Sequence, residues 1–146
     1  MMQKADIHAS REDELPAIAA LERESFTVPW TLAQLIESRS ADIVVMKTAS
    51  VEGTVVGYLC ATYILGEAEI QRIAVNPAFR RQGHARTLLE SFFREYSPDV
   101  TFLDVRASNI PAQELYKSED FEICGIRKNY YDSPVEDAVL MRREHI

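Results

Sequence analysis

The sequence predicts an α/β fold in which a sheet of mixed strand direction carries helices on its faces. Seven short apolar or alternating segments have the pattern of strands, and four stretches place apolar residues at helical spacing. Their order along the chain is β-α-α-β-β-β-α-β-α-β-β, which suits a layered α/β sheet. At 146 residues the chain is long enough to bury a core, and we expect one domain spanning residues 1–146.

The first half of the chain predicts a strand, two helices and a run of three further strands. Ser10 is expected to cap the first helix, with Asp13 three residues on, and Thr31 is expected to cap the second. Glu52-Gly53 and Gly66 are turn signals between strands. The predicted strands of this half are 5–9, 42–49, 55–65 and 67–75, and the first helix ends near residue 25.

The second half alternates helix and strand before it closes with two strands. From Ala85, apolar residues recur at helical spacing as far as about Tyr96, and Ser97-Pro-Asp99 breaks that helix. Pro111 lies in the first turn of a short helix predicted over 109–118. The predicted strands of this half are 100–105, 121–130 and 138–142.

Residues 70–86 carry the strongest functional signal. An apolar strand end, Ile73 to Val75, is stopped by Pro77, and a loop with one Gly leads into the next helix. The free N–H groups and the positive dipole end at such a helix start bind phosphate. Arg80, Arg81 and Arg86 add positive charge there, in a chain whose formal net charge is −7. The alternative is an arginine-rich surface turn without a ligand.

The loop Arg80-Arg-Gln-Gly-His-Ala85, called the arginine loop below, follows the pattern Q/R-x-x-G-x-G/A. It lacks the Gly-Lys-Ser/Thr of a P-loop and the three glycines of a dinucleotide-binding turn. His84 could bond to a phosphate oxygen from inside this loop, or it could be an exposed histidine without a role. We do not predict a catalytic function for it.

Composition argues against several other classes of function. The acidic charge balance disfavours nucleic-acid binding, which needs a broad basic face. No apolar run approaches the roughly 18 residues of a membrane span, and no apolar signal segment begins the chain. We therefore expect a cytoplasmic protein with no membrane partner. Cys60 and Cys124 lack metal-site spacing and are expected to be buried free thiols, and the three His residues form no metal pattern.

Two polar residues that follow the arginine loop are candidates for acid–base chemistry. Asp104 interrupts the apolar strand 100–105, so it lies on a solvated face, pairs with an Arg such as Arg106, or acts as a general base in a cleft. Tyr116 is by default a core or rim aromatic, but a phenol near a thioester sulfur can donate its proton to the departing thiolate. Asn109 is a good helix N-cap, which alone would explain it.

These residues give the chain a resemblance to the GNAT superfamily of N-acetyltransferases. The arginine loop resembles the acyl-CoA pyrophosphate loop of that superfamily. The predicted order of elements is that of the GNAT fold, a mixed, mostly antiparallel sheet flanked by helices. More specific pieces resemble the RimI branch, which acetylates the N-terminal alanine of a small-subunit ribosomal protein, and this resemblance covers nearly the whole chain, from about Asp6 to Met141. Those pieces are Leu103-Asp-Val-Arg-Ala-Ser-Asn109, Leu115-Tyr116, Arg127-Lys-Asn-Tyr-Tyr131 and Glu136-Asp-Ala138.

The resemblance implies that acetyl-CoA is the co-substrate and that no metal is needed. The backbone of Ile73, Ala74 and Val75 would contact acetyl-CoA, and Asn109 would hold its pantetheine side. The residues that would cradle the pyrophosphate are Arg81, Gln82, Gly83, His84, Ala85 and Arg86.

The resemblance also assigns the reacting groups. Asp104 falls at the position of the general base, Tyr116 falls at that of the general acid, and Tyr130 and Tyr131 would line the peptide entry. We expect the amine to attack the thioester directly, without an acetyl-cysteine intermediate. The expected partner is a protein or peptide N-terminus, that of a ribosomal protein, with no direct contact to nucleic acid.

Three departures from the branch pattern have consequences. Asp104 stands where the branch typically has Glu, and its shorter side chain favours a water relay to the amine. The demand on the base is modest, since an α-amino group has a pKa of about 7.7–8.0 and is partly neutral near pH 7. Asp120 replaces a usual Gly at a helix end, where Asp tolerates the left-handed conformation. Ala85 replaces the last loop Gly, which the pattern admits.

Three alternatives remain open at the level of sequence. The chain could be a GNAT enzyme that acetylates a protein lysine or a small amine. It could instead be a non-catalytic acyl-CoA-binding module. A purely structural protein would leave the arginine loop without a ligand.

Overall fold

The computed structural model describes residues 4–145, and its seven strands and four helices follow the predicted order. The strands are β1 (Asp6–Ala9), β2 (Val44–Val51), β3 (Thr54–Ile64), β4 (Glu67–Val75), β5 (Val100–Arg106), β6 (Glu122–Tyr131) and β7 (Glu136–Glu144). The helices are α1 (Leu15–Ser25), α2 (Leu32–Ser40), α3 (His84–Tyr96) and α4 (Ile110–Ser118). Short 3₁₀ turns, Glu12–Glu14 and Pro77–Phe79, precede α1 and follow β4.

The described strands form one sheet in the order β1-β2-β3-β4-β5-β7-β6. Neighbouring strands are antiparallel except β4 and β5, which run parallel. The parallel pairing lasts only from Glu67 opposite Val100 to Ile70 opposite Leu103. Beyond that point β4 continues to Val75 and β5 to Arg106 without pairing to each other. The two strands therefore diverge, and a cleft opens between their C-terminal ends.

Helices cover the sheet from both sides. On one face α3 and α4 complete the larger core, to which Leu88, Phe92 and Tyr116 belong. On the other face α1 and α2 pack through residues such as Ile18 and Leu35. In the described residues no helix combines the length and the apolar character needed to cross a bilayer.

The alternation of β5 decides which way its polar residues point. Leu103 and Val105 are buried in the core beneath α3 and α4. Because successive side chains of a strand point to opposite faces, Asp104 and Arg106 lie on the face that carries α1 and α2. The two core layers thus place Asp104 and Arg106 on one side of the cleft.

Local capping signals were confirmed in part. The Thr31 hydroxyl caps α2 by accepting the Gln34 N–H at 3.2 Å, and the Asn109 side chain caps α4. The prediction for Ser10 was wrong: its hydroxyl is buried and bonds to that of Thr48 at 2.8 Å. The turn before α1 begins at Arg11, whose N–H donates to the Glu14 carboxylate.

The two cysteines differ in exposure. Cys60 is buried, and burial raises the pKa of its thiol to about 12. Cys124 is exposed, so the prediction that both thiols are buried was wrong for this residue. The cause is the place of β6 at the edge of the sheet, which leaves most of its residues accessible. Asp120 adopts the left-handed conformation expected at the end of α4, with φ of 70°.

Candidate active site

A cleft of about 870 Å³ lies between the diverging ends of β4 and β5. Its walls are the last residues of both strands, the arginine loop, the starts of α3 and α4, the loop after α1, and Tyr131. Peptide groups of Ile73–Val75 that face β5 have no partner strand there, so apart from the Val75 carbonyl, which accepts from Arg80, they are available to a ligand. The fold therefore exposes main-chain hydrogen-bonding groups inside a cavity.

A β-bulge bends β4 just before the cleft. Cys60 is paired with Arg72, whereas Ala61 is paired with Ile70, so Gln71 is an extra residue on β4. Such a bulge re-aims the strand and raises its twist. The bend begins where β4 and β5 stop pairing, and it directs the last residues of β4 along the cleft.

The arginine loop joins the cleft to α3 through unusual backbone angles. Arg81 and Gly83 both have positive φ, 64° and 81°, and Gly83 is the N-cap of α3. A positive φ on a residue other than Gly is strained, and such conformations occur at turns and, more often than elsewhere, at ligand sites. The Arg80 side chain donates to the Val75 carbonyl at 3.2 Å, which ties the loop to β4. The loop thus presents N–H groups at the start of a 13-residue helix.

The three arginines of this region differ in their partners. Arg86 pairs with Glu119 at 3.4 Å. Arg81 is exposed and has no acidic partner within residues 4–145. No acidic side chain of the described residues offsets the positive charge of Arg81, which lines the cleft beside the positive end of the α3 dipole. This end of the cavity therefore suits a phosphate group.

His84 is the first residue of α3, and it is buried rather than exposed. Its ring lies 6.4 Å from that of Phe79, centroid to centroid, and its Nε2 has no hydrogen-bond partner within the described residues. Burial lowers the pKa of the imidazole, so the ring is neutral at pH 7. A buried ring nitrogen without a partner, at the wall of the cleft, is available to a bound ligand.

Asp104 lies half-buried on β5 at the wall of the cleft. Its backbone pairs with Leu140 of β7, but no hydrogen bond or ion pair to its carboxylate is seen in the part of the chain that the structure describes. The alternative pairing with Arg106 is not observed, because Arg106 instead binds Glu136 at 3.3 Å. A carboxylate without a partner in a cleft is free to accept a proton.

Tyr131 lies within electrostatic reach of Asp104, and Tyr116 lies within reach of Tyr131. Burial and then the negative charge of Asp104 raise the pKa of Tyr131 to about 12. Tyr116, on α4, packs edge-on against Phe121 with ring centroids 5.7 Å apart. Burial, together with the nearby Tyr131, raises the pKa of Tyr116 well above its usual value. Both phenols therefore carry their protons at neutral pH and can donate them.

Arg106 anchors the hairpin between β6 and β7. It donates to the carbonyls of Asp132 at 3.0 Å and Pro134 at 3.1 Å, and its guanidinium lies 4.5 Å from the centre of the Tyr131 ring. Glu136 completes the anchor by pairing with Arg106 and accepting the Ser108 N–H at 2.5 Å. These contacts hold Tyr131 at the edge of the cleft.

Most of the residues predicted from sequence come together around this cleft. Its lining includes the predicted residues Ile73, Ala74, Val75, Arg81, Gly83, His84, Ala85, Arg86, Asp104, Asn109, Tyr116 and Tyr131. Gln82 and Tyr130 do not line it. The Tyr130 ring is half-exposed and packs edge-on against Tyr131, with centroids 5.1 Å apart.

The sequence analysis missed a buried ion pair beside the cleft. Glu22 of α1 is fully buried and binds Arg72 of β4, which also lines the cleft. Glu22 follows Leu15, Ile18 and Ala19 at helical spacing, so a charged residue stands in an apolar stripe. That interruption was the signal that could have identified it. Its partner could not be found in this way, since Arg72 is distant in sequence.

No group of three or more His, Cys, Asp or Glu side chains within residues 4–145 is arranged to hold a metal ion. The fit of the cleft to acetyl-CoA rests on other groups. Unpaired peptide groups of β4 suit the amide-rich pantetheine arm. The arginine loop and the start of α3 suit a pyrophosphate.

Comparison with known proteins agrees with this geometry. Residues 11–121 match the Acetyltransferase (GNAT) family. The [ribosomal protein bS18]-alanine N-acetyltransferase of Haemophilus ducreyi is 33% identical over 136 residues, covering 89% of this chain and 93% of its own. The protein of that name from Escherichia coli (strain K12) is 32% identical over 133 residues, covering 88% of this chain and 89% of its own.

A solved structure extends the similarity to three dimensions. The crystal structure of the ribosomal-protein-S18-alanine N-acetyltransferase from Escherichia coli has a TM-score of 0.90 to this chain at 29% identity, covering 97% of this chain and 94% of its own. The predicted GNAT fold is confirmed by this likeness and by the family match. The chain therefore belongs to the GNAT family of acetyltransferases and is an N-acetyltransferase that uses acetyl-CoA.

Proposed function

We propose that this enzyme acetylates the N-terminal alanine of a small-subunit ribosomal protein. Two relatives at 32% and 33% identity carry the name [ribosomal protein bS18]-alanine N-acetyltransferase, and each aligns over most of its length. The observation that carries the proposal is an unpartnered carboxylate and a protonated phenol at one cleft. Asp104 belongs to the α1 and α2 face of the sheet, and Tyr116 belongs to α4 on the opposite face.

The cofactor side of the site is assigned to β4 and the arginine loop. Peptide N–H groups within Ile73–Val75 bind the thioester and pantetheine and polarise the carbonyl oxygen that becomes negative during attack. Arg81, Arg86, His84 and the N–H groups of residues 82–85 hold the pyrophosphate, with Gln82 acting through its backbone. Asn109 adds a side-chain contact at the start of α4.

The reacting groups divide the proton transfers between them. The acceptor amine attacks the thioester carbon, and Asp104 accepts the ammonium proton, directly or through one water. The C–S bond then breaks, and Tyr116 donates its phenolic proton to the leaving thiolate. Because the pKa of Tyr116 is raised, the phenol still carries its proton while the amine attacks. Much of the rate comes from holding both substrates in one cleft.

The acceptor side is assigned to the loop after α1 and to the hairpin between β6 and β7. Tyr131 lines the peptide entry, and Tyr130 supports it through their edge-on ring contact. The proposed site draws on residues from Ser25 to Tyr131, which supports one catalytic domain over 1–146. A ribosomal-protein acceptor implies that the enzyme works in the cytoplasm.

The test is acetyl-CoA-dependent release of CoA thiol with two peptides. The first copies the N-terminus of ribosomal protein bS18, beginning with Ala. The second has the same sequence with a blocked α-amine and one free lysine. We expect turnover with the first peptide alone. Turnover of the blocked peptide or of free small amines instead would replace this proposal with a lysine or small-amine acetyltransferase. Tight acetyl-CoA binding without turnover of any acceptor would support a binding module.

A further inference from the structure

We propose that Arg72 is a positioning residue that holds the acceptor-binding loop, residues 26–31 between α1 and α2, in its working conformation. This inference rests on the proposed function, because it assigns to Arg72 the selective binding of the acceptor peptide. Arg72 itself is not a catalytic residue. It stands at the bulge in β4, on the α1 and α2 face of the sheet, between the acceptor loop and the cleft.

Two hydrogen bonds connect Arg72 to the acceptor loop and to α1. Its guanidinium donates to the carboxylate of Glu22 at 3.0 Å and to the backbone carbonyl of Val28, in the middle of the loop, at 2.9 Å. The Glu22 carboxylate also accepts the backbone N–H of Trp30 at 2.7 Å and the hydroxyl of Tyr58. One buried ion pair thus holds two main-chain groups of the loop.

Two aromatic rings of the same loop pack against the guanidinium. Its central carbon lies 4.1 Å from the centre of the Phe26 ring and 4.7 Å from that of Trp30. Both distances are within the range of a cation–π contact. The loop is therefore folded around a side chain that belongs to β4.

The stacking of residue 72 against Phe26 and Trp30 requires an arginine in particular. A planar guanidinium can bind a carboxylate and a carbonyl at once while it stacks on two rings, whereas a lysine ammonium is a compact, strongly hydrated charge. The Glu22 side chain is 0% exposed and that of Arg72 is 18% exposed, so the ion pair is well shielded from water, whereas the hydrogen bond to Val28 is exposed. Both hydrogen bonds of Arg72 come from one nitrogen, Nη2, so substituting Lys keeps the positive charge and a single donor nitrogen but removes the stacking on the two rings.

The acceptor loop forms part of the cleft wall. Phe26 and Thr27 of this loop line the cavity together with Ser25, the last residue of α1, and Arg72, on the face where Asp104 lies. A shift of this loop changes the space in which an acceptor N-terminus must lie. Within residues 4–145, no hydrogen bond, ion pair or cation–π contact joins Arg72 to the arginine loop or to α3, on the cofactor side. We therefore expect that loss of Arg72 weakens acceptor binding and leaves acetyl-CoA binding unchanged.

The test compares Arg72→Lys with a matched control, Arg143→Lys. Arg143 also stacks on a ring, 3.9 Å from the centre of Phe93, and donates to a backbone carbonyl, that of Glu119, at 2.9 Å. It does not line the cleft. In Arg72→Lys the KM for the Ala-starting peptide should rise about tenfold, equivalent to ~1.4 kcal/mol, with the KM for acetyl-CoA unchanged. In Arg143→Lys both KM values should stay at wild type.

Fluorescence of Trp30 supplies a second readout, because it is the single tryptophan of the chain. Without the guanidinium stacked against it, Trp30 should emit at longer wavelength and be quenched more strongly by acrylamide in Arg72→Lys, and not in Arg143→Lys. If Arg72→Lys does not fold, Trp30→Leu removes one stacking ring that does not line the cleft, and the peptide KM should still rise selectively.

The outcomes separate this inference from the proposed function. If the wild-type enzyme does not acetylate the peptide, the proposed function fails, whatever the fluorescence shows. If it does, an unchanged peptide KM in Arg72→Lys, or an equal rise in both KM values, overturns the role of Arg72. A selective rise in peptide KM together with the change in Trp30 emission supports it.

Discussion

Gly57 of β3 lies so close to Ala74 of β4 that a Cβ atom at position 57 would be 2.9 Å from the Ala74 carbonyl oxygen. The same atom would be 3.3 Å from a methyl group of Val75. Because the closer contact is with backbone, β4 itself would have to move to accept any side chain at position 57. Gly57 therefore sets the position of the strand end that contacts acetyl-CoA in our proposal.

We expect Gly57→Ala to displace Ala74 and Val75 toward the cleft. The overpacking should cost ~1–3 kcal/mol of unfolding free energy and raise the KM for acetyl-CoA. Thermal unfolding and steady-state kinetics would measure the two effects. The matched control is Gly125→Ala in β6, where the added Cβ would be 3.9 Å from its nearest neighbour, an ordinary contact. Equal behaviour of the two variants would contradict this account.

Much of the fold was predictable because its signals are local. The strand β4 begins and ends where the alternation predicted, and α3 begins one residue before its predicted start. The arginine loop, Asp104 and Tyr116 were likewise identified from short motifs. Each of these residues is recognised by neighbours within a few positions, and the order of elements then brings them to one cleft.

Contacts between distant segments could not be predicted in this way. Arg72 binds Glu22 across 50 residues of sequence, and neither residue belongs to a motif that the sequence analysis used. Arg106 was considered as a partner for Asp104, yet its partners lie in the hairpin after β6. These contacts depend on how the strands are aligned and on which helix packs on each face. A sequence pattern predicts the face of the sheet on which a side chain lies, but it does not predict which residue of another element will contact that side chain.

Replacing Asp104 should cause a defect that depends on pH. At pH 7 much of the acceptor amine is protonated, so Asp104→Asn should lower kcat/KM about 100-fold. As the pH rises to 9, past the α-amino pKa of about 7.7–8.0, more amine is already neutral and the defect should shrink. The measurement is kcat/KM of wild type and of Asp104→Asn at pH 7 and at pH 9. Asp104→Glu, which keeps the carboxylate, should retain activity, and a constant defect across this pH range would argue against Asp104 as the base.

Tyr116→Phe isolates the phenolic proton. The Phe ring preserves the edge-on packing against Phe121, so the protein should remain folded and bind acetyl-CoA with unchanged KM. Loss of the proton donor should lower kcat about 100-fold. Tyr63→Phe is the control, because the Tyr63 ring packs against Tyr96 and does not line the cleft. A kcat unaffected by Tyr116→Phe would remove Tyr116 from the mechanism.

Arg81→Gln and Arg86→Gln test the pyrophosphate site. Each should raise the KM for acetyl-CoA several-fold and leave the peptide KM unchanged, because each removes a cation from the start of α3. The wild-type KM should also rise with salt, since at 0.1 M salt exposed charges are screened beyond about 10 Å. The variants should therefore resemble wild type more closely at high salt. Arg94→Gln, exposed near the end of α3, is the control and should behave as wild type.

His84 should make the stability of the fold sensitive to acid. Burial lowers the pKa of this imidazole below its ordinary value of 6.5, so the unfolded chain takes up a proton that the folded chain excludes. The stabilising contribution is complete above pH 6.5 and is lost as the pH falls from there through the lower folded pKa. Urea unfolding at pH 7.5 and at pH 5.5 should therefore show a fall in unfolding free energy.

His84→Leu places an apolar side chain against Phe79 and should reduce the loss of unfolding free energy between pH 7.5 and pH 5.5. The control is His145→Gln, at an exposed position after β7, which should lose as much unfolding free energy as wild type. Equal pH dependence in wild type and His84→Leu would mean that the folded protein accepts a proton at His84. In that case a positively charged imidazolium would stand at the start of α3, against the helix dipole and beside Arg81 and Arg86.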